Sequence, residues 1–165
     1  AASVLHDVVE DANIQPEDVV LEPFAGYGSI PIQLSKHFKY NKLFVSDIDS
    51  ERISDLQQKK HLKKENIFIE ECSVFDLPTK RSEISCIITD PPWGYYEEIT
   101  DITKFYIDMF ESFRKICREN CKIVILTARV ENFVQAAESS NVELSERLNT
   151  LINGKKASLF KCKLK

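Results

Sequence analysis

Apolar runs of strand length alternate along this chain with segments whose apolar residues recur at helical spacing. The short runs predict strands near 18–22, 43–47, 67–70, 85–90 and 122–127. The helical spacing predicts helices near 2–12, 29–38, 50–63, 102–118 and 130–139. Regular alternation of strands and helices is typical of an α/β fold with a mostly parallel sheet.

The last quarter of the chain has a different pattern. Two β-like runs, near 142–150 and 157–164, are separated by Asn153-Gly154, a dipeptide typical of tight hairpin turns. We therefore expect the parallel strands to be followed by an antiparallel hairpin, with helices on both faces of the sheet. Because no repeat, low-complexity tract or linker interrupts residues 1–165, the sequence predicts a single domain.

The predicted helix at 102–118 has the clearest amphipathic pattern. Its apolar side fits burial against a sheet, so we interpret this stripe as core rather than as a cofactor-binding surface. The residues of the stripe are Ile102, Phe105, Tyr106, Met109, Phe110, Phe113, Ile116 and Cys117.

Composition limits the classes of protein to which this domain can belong. Hydrophobic residues make up 43% of the 165 residues, enough for a substantial core, and there is neither a membrane-spanning apolar run nor a signal peptide. The five cysteines form no CxxC pair, and their odd number argues against a disulfide framework. We therefore expect reduced, buried thiols in a cytoplasmic protein with no membrane partner. The three histidines are scattered, so we expect no metal site.

The charge balance bears on nucleic-acid binding. The formal net charge is −4, whereas nucleic-acid-binding domains are usually basic. If the chain acts on RNA, we therefore expect a separate RNA-binding domain or partner to supply most of the phosphate affinity. Two basic clusters are present, Lys59–Lys64 at a predicted helix end and Lys155-Lys156 beside the predicted hairpin turn. Both are typical of solvated surfaces, and contact with phosphate is the alternative for each.

One candidate site follows the predicted strand near 85–90. The segment Asp90-Pro91-Pro92-Trp93-Gly94 combines a carboxylate, two prolines and the only tryptophan of the chain. Proline fixes φ and lacks an N–H, so two in a row hold the neighbouring carbonyls in place. An acidic oxygen, a fixed carbonyl and an aromatic plate suit a planar group with an amine on its edge, such as a nucleobase.

A second candidate site follows the predicted strand near 18–22. The segment Glu22–Gly28 indicates a strand that enters a turn containing two of the chain's four glycines. Glycine is used where the backbone turns sharply or approaches a ligand. In a mostly parallel α/β sheet both candidate sites would lie at the carboxyl edge of the strands, where ligands bind.

The glycine turn departs from the fingerprint of dinucleotide-binding proteins. Pro31 occupies the position of the third small residue, which disfavours an NAD enzyme. An acidic residue about twenty residues further on is still expected to bind ribose hydroxyls, and Asp47 holds that position. Ile48 would offer an apolar face to an adenine ring, and Asp49 is better explained as a helix N-cap. A cap or turn role is the alternative for Asp47.

Together these motifs resemble those of the class I S-adenosylmethionine-dependent methyltransferases. Within that group, Glu22–Ile32, Ser46–Asp49 and Thr89–Gly94 are similar to the RNA methylase family often joined to a THUMP RNA-binding domain. Known members of that family methylate guanine N2 in tRNA or ribosomal RNA. The resemblance covers nearly the whole chain and implies a Rossmann-like methyltransferase sheet, S-adenosylmethionine as cofactor and RNA as partner. A monomer is slightly favoured over an oligomer.

The resemblance also assigns the residues that would contact the cofactor. Glu22 would accept a hydrogen bond from the cofactor's ammonium group, and the glycines would let the backbone approach its methionine part. Family members carry an aspartate after the third strand that contacts the adenine amine, and here Ser73 holds that place. We assign this contact to Ser73 and the Val74 backbone, with Asp76 in reserve. The full set is Glu22, Pro23, Phe24, Gly26, Gly28, Asp47, Ile48, Ser73, Val74 and Asp90.

The same resemblance gives the catalytic role to Asp90, Pro91, Pro92 and Trp93. An exocyclic amine is a poor nucleophile because its lone pair is conjugated into the base. Hydrogen bonds to the Asp90 carboxylate and the Pro91 carbonyl would favour a tetrahedral nitrogen, placed in line with the methyl group. Pro92 would fix the corner, and Trp93 would stack on a flipped-out base, with further stacking possible at Tyr95-Tyr96.

Three other functions stay open at the level of the sequence. Adenine N6 methylation of DNA or RNA also uses an Asp-Pro-Pro-aromatic corner. A catalytically silent cofactor-fold module in an RNA-binding assembly is left open by Ser73. Methylation of a protein glutamine amide uses a similar corner, but that corner usually begins with asparagine, so Asp90 counts against it.

Overall fold

A computed structural model describes residues 2–94, 99–152 and 154–165. The strands are β1 Val19–Glu22, β2 Lys42–Asp47, β3 Ile67–Glu71, β4 Ile84–Thr89, β5 Cys117–Thr127, β6 Val142–Ile152 and β7 Lys155–Leu164. They form one seven-stranded sheet in the order β3-β2-β1-β4-β5-β7-β6. Strands β1 to β5 pair in parallel, and β7 pairs antiparallel with both β5 and β6. The antiparallel pair confirms the predicted hairpin, although Asn153 lies outside the described residues.

The helices are α1 Ala2–Asp11, α2 Ser29–His37, α3 Ser50–Gln58, α4 Ile102–Ile116 and α5 Val130–Ser139. The first three pack on one face of the sheet and the last two on the other, and each face has its own hydrophobic core. The central strand β4 is buried along its whole length, as expected for a parallel strand covered on both faces. The predicted α/β class, the mostly parallel sheet and the two helical layers are therefore confirmed.

Two predicted helices were too long. The helix predicted at 50–63 ends at Gln58, because Lys59 is extended and Lys60–Leu62 forms a separate 3₁₀ turn. The helix predicted at 102–118 ends at Ile116, because Cys117 already pairs with Ile84 as the first residue of β5. The apolar periodicity did not indicate either helix end, because a helix end depends on where the next element must pair.

Strand β5 begins five residues before the predicted start at 122. Its register with β4 shifts between Ile84 and Cys86, whose partners on β5 are Cys117 and Lys122. The extra residues on β5 form a bulge in which Asn120 has a left-handed φ of 61°. An asparagine tolerates this conformation better than most residues. Because of this bulge, Cys117 can pair with β4 directly after α4 although the residues that follow it are polar and exposed.

The described residues give no sign of a membrane span or a metal centre. None of their helices combines the length and the apolarity needed to cross a bilayer. None of their His, Cys, Asp and Glu side chains form a group of three or more suited to a metal ion. All five cysteines have free thiols, and burial raises the pKa of Cys86 and Cys162. These two thiols are therefore protonated and unreactive at neutral pH.

A partly buried ion pair lies at the amino-terminal edge of the sheet. Lys122 on β5 lies 2.6 Å from the Asp18 carboxylate and also donates to the Asn13 carbonyl at 2.6 Å. Asp18 further accepts from the Gln15 amide and the Ser85 hydroxyl, each at 2.8 Å. Burial alone would raise the pKa of Asp18, but the bonds from Lys122, Gln15 and Ser85 outweigh it and lower the pKa below 3.8.

This pair predicts a specific loss of stability. Asp18→Ala should lower the free energy of unfolding by about 1–3 kcal/mol, because the Gln15 amide, the Ser85 hydroxyl and the Lys122 ammonium would lose the acceptor that they share. Urea unfolding at pH 7 measures the effect. The stabilisation is present above pH 3.8 and is lost as the pH falls through the lowered pKa of Asp18.

The control is the exposed pair of Asp55 and Lys59, whose charged atoms are 3.5 Å apart. Asp55→Ala should change the stability by less than about 0.5 kcal/mol, since solvent screens an exposed pair. Equal effects of the two substitutions would contradict a structural role for the pair of Asp18 and Lys122.

Candidate functional site

Both predicted motifs lie where the strand order reverses. Strands β1 and β4 are neighbours in the sheet. After β1 the chain continues to β2 on one side of this pair, and after β4 it continues to β5 on the other side. Glu22 ends β1 and Thr89 ends β4, and the Thr89 hydroxyl donates to Glu22 Oε1 at 2.5 Å. The glycine turn and the proline corner are therefore adjacent at the carboxyl edge, at the switch point where α/β sheets bind ligands.

Glu22 is buried at the base of this site. Its side chain is 1% exposed, and the same Oε1 accepts from the Phe24 amide at 2.8 Å. Burial raises the pKa of Glu22 to about 8, and the nearby charges of Asp90 and Asp47 act in the same direction. At neutral pH the protein alone therefore holds this carboxyl mainly in its neutral form.

The glycine turn that follows Glu22 leaves open space at Gly26. Gly26 has a φ of 54°, and a Cβ built on it would meet no described atom within 4 Å. Its amide donates to Asp47 Oδ2 at 2.9 Å, which fastens the turn to the end of β2. Gly28 is needed for a different reason. Its φ is 89°, and a Cβ there would collide with the Leu56 side chain of α3.

The acidic segment after β2 is organised by Asp47 and Asp49. Asp47 is buried, and its second oxygen accepts from the Asp49 amide at 2.9 Å. Asp49 accepts from the Glu51 and Arg52 amides, which confirms it as the N-cap of α3. Asp47 therefore acts as a turn residue in the structure, and its contact with a ribose stays a prediction. Ile48 is 71% exposed beside it, as an adenine-facing side chain would have to be.

The loop after β3 places Ser73 and Val74 at the same edge. The Ser73 hydroxyl accepts from the Phe75 amide at 3.2 Å, so it holds the turn. The Val74 side chain is 2% exposed and packs in the core, so only its backbone can face a ligand. The Asp76 carbonyl accepts from the Thr79 hydroxyl at 2.7 Å. The adenine contacts assigned to this loop stay predictions.

An aromatic row at this edge was missed by the sequence analysis. The Phe105 ring centroid lies 5.9 Å from that of Phe24 in the glycine turn and 5.4 Å from that of Phe75. Phe75 is 44% exposed. The row therefore connects the glycine turn to the loop after β3 across the first turn of α4. The helical stripe had placed Phe105 in the core, and no local pattern singled out Phe75.

The proline corner is held by two side chains that come later in the chain, one from α4 and one from the turn between β5 and α5. The Tyr106 hydroxyl donates to the Pro92 carbonyl at 2.8 Å and lies 3.0 Å from the Thr127 hydroxyl oxygen. Arg129 Nε donates to the Trp93 carbonyl at 2.6 Å. Pro91 is buried, while Pro92 and Trp93 are half-buried. The corner is therefore a rigid ledge, in which the Trp93 side chain packs against the core under α1–α3.

Tyr106 and Arg129 were not among the predicted site residues. One signal was available for Tyr106, because a tyrosine inside an apolar stripe needs a polar partner for its hydroxyl. Arg129 had no such signal, since its partner is a carbonyl 36 residues earlier in the chain. The neighbouring Tyr95-Tyr96 lie outside the described residues.

The electrostatics of the site suit a cationic ligand. Glu22 and Asp47 are buried at this edge, and Asp47 and Asp90 lie near enough to Glu22 to raise its pKa. Carboxylates in this setting favour a positively charged group and hydroxyl donors over an anion. The amino-acid end of S-adenosylmethionine, with its ammonium and sulfonium, fits this set better than a pyrophosphate does.

Comparisons with known proteins point to the same class. The chain is 21% identical to the tRNA (guanine(6)-N2)-methyltransferase of Methanocaldococcus jannaschii, over 96% of this chain and 52% of that protein. It therefore spans about half the length of that relative. Crystal structures share the fold. TrmN from Thermus thermophilus has a TM-score of 0.84 at 18% identity, over 99% of this chain and 48% of that one.

A third comparison shows that the fold is not tied to one substrate. Magnesium protoporphyrin IX methyltransferase from Synechocystis, solved with bound SAM, has a TM-score of 0.72 at 13% identity, over 99% of this chain and 77% of that one. The sequence model described as "RMKL-like, methyltransferase domain" matches residues 6–157. This match confirms the methyltransferase resemblance inferred from the motifs, and the chain belongs to the family of RMKL-like methyltransferase domains.

Proposed function

We propose that the chain transfers a methyl group from S-adenosylmethionine to an exocyclic base amine in RNA, namely guanine N2 in tRNA or ribosomal RNA. The hydrogen bond between Thr89 and Glu22 carries this proposal, because it joins the glycine turn to the proline corner. The name of the Methanocaldococcus relative supports guanine N2 in tRNA. The net charge of −4 supports a separate RNA-binding domain or partner.

The cofactor would bind along the glycine turn. S-adenosylmethionine supplies an electrophilic methyl group on a positively charged sulfur. Glu22 would accept from its ammonium group, and Gly26 would leave room for its methionine part. Asp47 already binds two backbone amides, and each carboxylate oxygen can accept more than one bond, so a ribose hydroxyl can still be received there.

The proline corner would orient the amine. The Pro91 carbonyl and the Asp90 carboxylate are the acceptors proposed for the two amine hydrogens, while the Pro92 carbonyl accepts from Tyr106 and so holds the corner. Accepting both hydrogens turns the nitrogen lone pair away from the ring and toward the methyl group. Asp90 would then receive the proton released after transfer. The rigidity of the ledge matters because alignment supplies much of the rate in a displacement of this kind.

One prediction from the proposed site concerns the proton on Glu22. Between pH 4.5 and 8 the folded chain holds more protons at Glu22 than the unfolded chain does, so its stability should fall as the pH rises through this window. Glu22→Gln has no proton to lose and should lack this fall, which amounts to at most about 1.4 kcal/mol per pH unit.

Urea unfolding across this pH range measures the difference between the two proteins. The exposed Glu71→Gln serves as the control and should follow the wild type. Stability curves of the wild type and Glu22→Gln that run parallel would contradict the buried neutral carboxyl.

The second prediction concerns the open space at Gly26. Gly26→Ala should weaken the binding of S-adenosylhomocysteine, measured by calorimetry, by about tenfold or more, because the new methyl group would occupy the cleft. Gly154→Ala is the matched control, since Gly154 also has a positive φ of 79° and no described atom within 4 Å of a built Cβ. It should bind normally. A wild type that binds no ligand would favour the silent cofactor-fold module.

The third prediction concerns the reaction. With tritiated S-adenosylmethionine and a pool of unmodified tRNA and ribosomal RNA transcripts, nucleoside analysis should yield N2-methylguanosine. Asp90→Ala should lower kcat about 100-fold or more by releasing the amine from its alignment, and should weaken cofactor binding far less. Asp55→Ala should leave kcat unchanged. N6-methyladenosine as the sole product would replace the guanine proposal by the adenine one.

A further inference from the structure

The hairpin of β6 and β7 extends past the rest of the sheet. Pairing of β7 with β5 ends at Thr127 and Ser158. Pairing of β7 with β6 continues for three more residue pairs, up to Ile152 and Lys155. At about 3.4 Å per pair, the tip stands about 10 Å beyond the end of β5. Strand β5 runs parallel to β4, so the tip projects at the edge that holds the proline corner.

The tip also lies on the same side of the sheet as the tryptophan of the corner. Trp93 and Ile152 both pack, half-buried, against the core cluster that includes Ala157 and Leu159 of β7. Side chains alternate along a strand, so Lys155 shares the face of Ala157 and Leu159. The hairpin tip and Trp93 therefore share one face of the sheet at the same edge.

The charge of the tip contrasts with that of the cleft. The charges of Asp47 and Asp90 make the cleft acidic, and an RNA phosphate near it would be repelled. Lys156 projects from the opposite face of the tip to Lys155 and is exposed. Its cross-strand neighbour Leu151 is also exposed.

We infer that the tip of the β6–β7 hairpin is an RNA-binding surface, where Lys155 and Lys156 bind the phosphates that flank the target nucleotide. This inference rests on the proposed function and names where that function meets its substrate. Lysine contacts with phosphate position the RNA without reading its sequence. The two lysines would hold the backbone on both sides of the tip while the base turns toward Trp93.

Two lysines at the amino-terminal edge of the sheet provide a matched control. Lys60 and Lys63 are both exposed and belong to the basic cluster Lys59–Lys64. Helix α3 begins at the carboxyl end of β2 and runs back along the sheet, so these lysines lie by the amino end of β3. The variants K155S/K156S and K60S/K63S therefore remove the same charge from opposite edges of the sheet.

The test measures RNA binding and methyl transfer for both variants. Fluorescence anisotropy with a labelled single-stranded RNA oligonucleotide gives the dependence of the binding constant on salt. For K155S/K156S the slope of log K against log salt concentration should fall in magnitude by about 0.7 per lysine, about 1.4 in all. KM for the transcript pool should rise about tenfold, with kcat and the affinity for S-adenosylhomocysteine unchanged. K60S/K63S should match the wild type in every measurement.

Two results would overturn the inference. One is an unchanged salt slope in K155S/K156S, which would leave the lysines only the role of keeping the hairpin edge soluble. The other is an equal loss in both variants, which would indicate a general charge effect. Thermal unfolding checks that both variants fold. A wild type that binds the oligonucleotide but transfers no methyl group to RNA would refute the proposed function, while the salt slopes would still decide on the hairpin.

Discussion

The site depends on one buried hydrogen bond, from the Thr89 hydroxyl to the Glu22 carboxyl. It connects the ends of two strands that lie side by side in the sheet but 67 residues apart in the chain. Burial makes a charged Glu22 costly, and the bonds from Thr89 and the Phe24 amide reduce but do not remove that cost. A cationic ligand above the carboxyl would remove more of it. The same contact thus fixes the geometry of the edge and holds a buried carboxyl there that a cation would stabilise in its charged form.

Strand order explains why this contact forms where a ligand can reach it. The chain leaves β1 for helices on one face and leaves β4 for helices on the other. The connections therefore diverge above the carboxyl ends of these two strands, and a crevice opens between them. At the amino ends, Asp18 before β1 is bound by Lys122 of β5. One edge of the sheet is thus fastened by an ion pair, while the other brings together the carboxyl groups of Glu22, Asp47 and Asp90.

Much of this fold follows from local patterns, and the rest does not. The strands, the helical layers and the hairpin follow from apolar spacing and a turn dipeptide, because these depend on neighbours in sequence. The ends of α3 and α4 and the start of β5 depend on pairing with distant strands, which periodicity cannot show. The motif residues could be named from the sequence, but Tyr106 and Arg129 act through backbone carbonyls far away in the chain. A carbonyl acceptor has no sequence signature.

The bond from Tyr106 to Pro92 ties the ledge to the interior of the protein. Tyr106 is fully buried, and its ring packs edge-on against Phe133 of α5, with centroids 5.5 Å apart. A change in side-chain volume deep under α4 and α5 would therefore be transmitted to the height and tilt of the proline corner. A substitution in the interior of this domain could thus change which methyl-accepting group fits the corner without altering any residue that touches that group. Relatives with identical motifs therefore need not share a substrate.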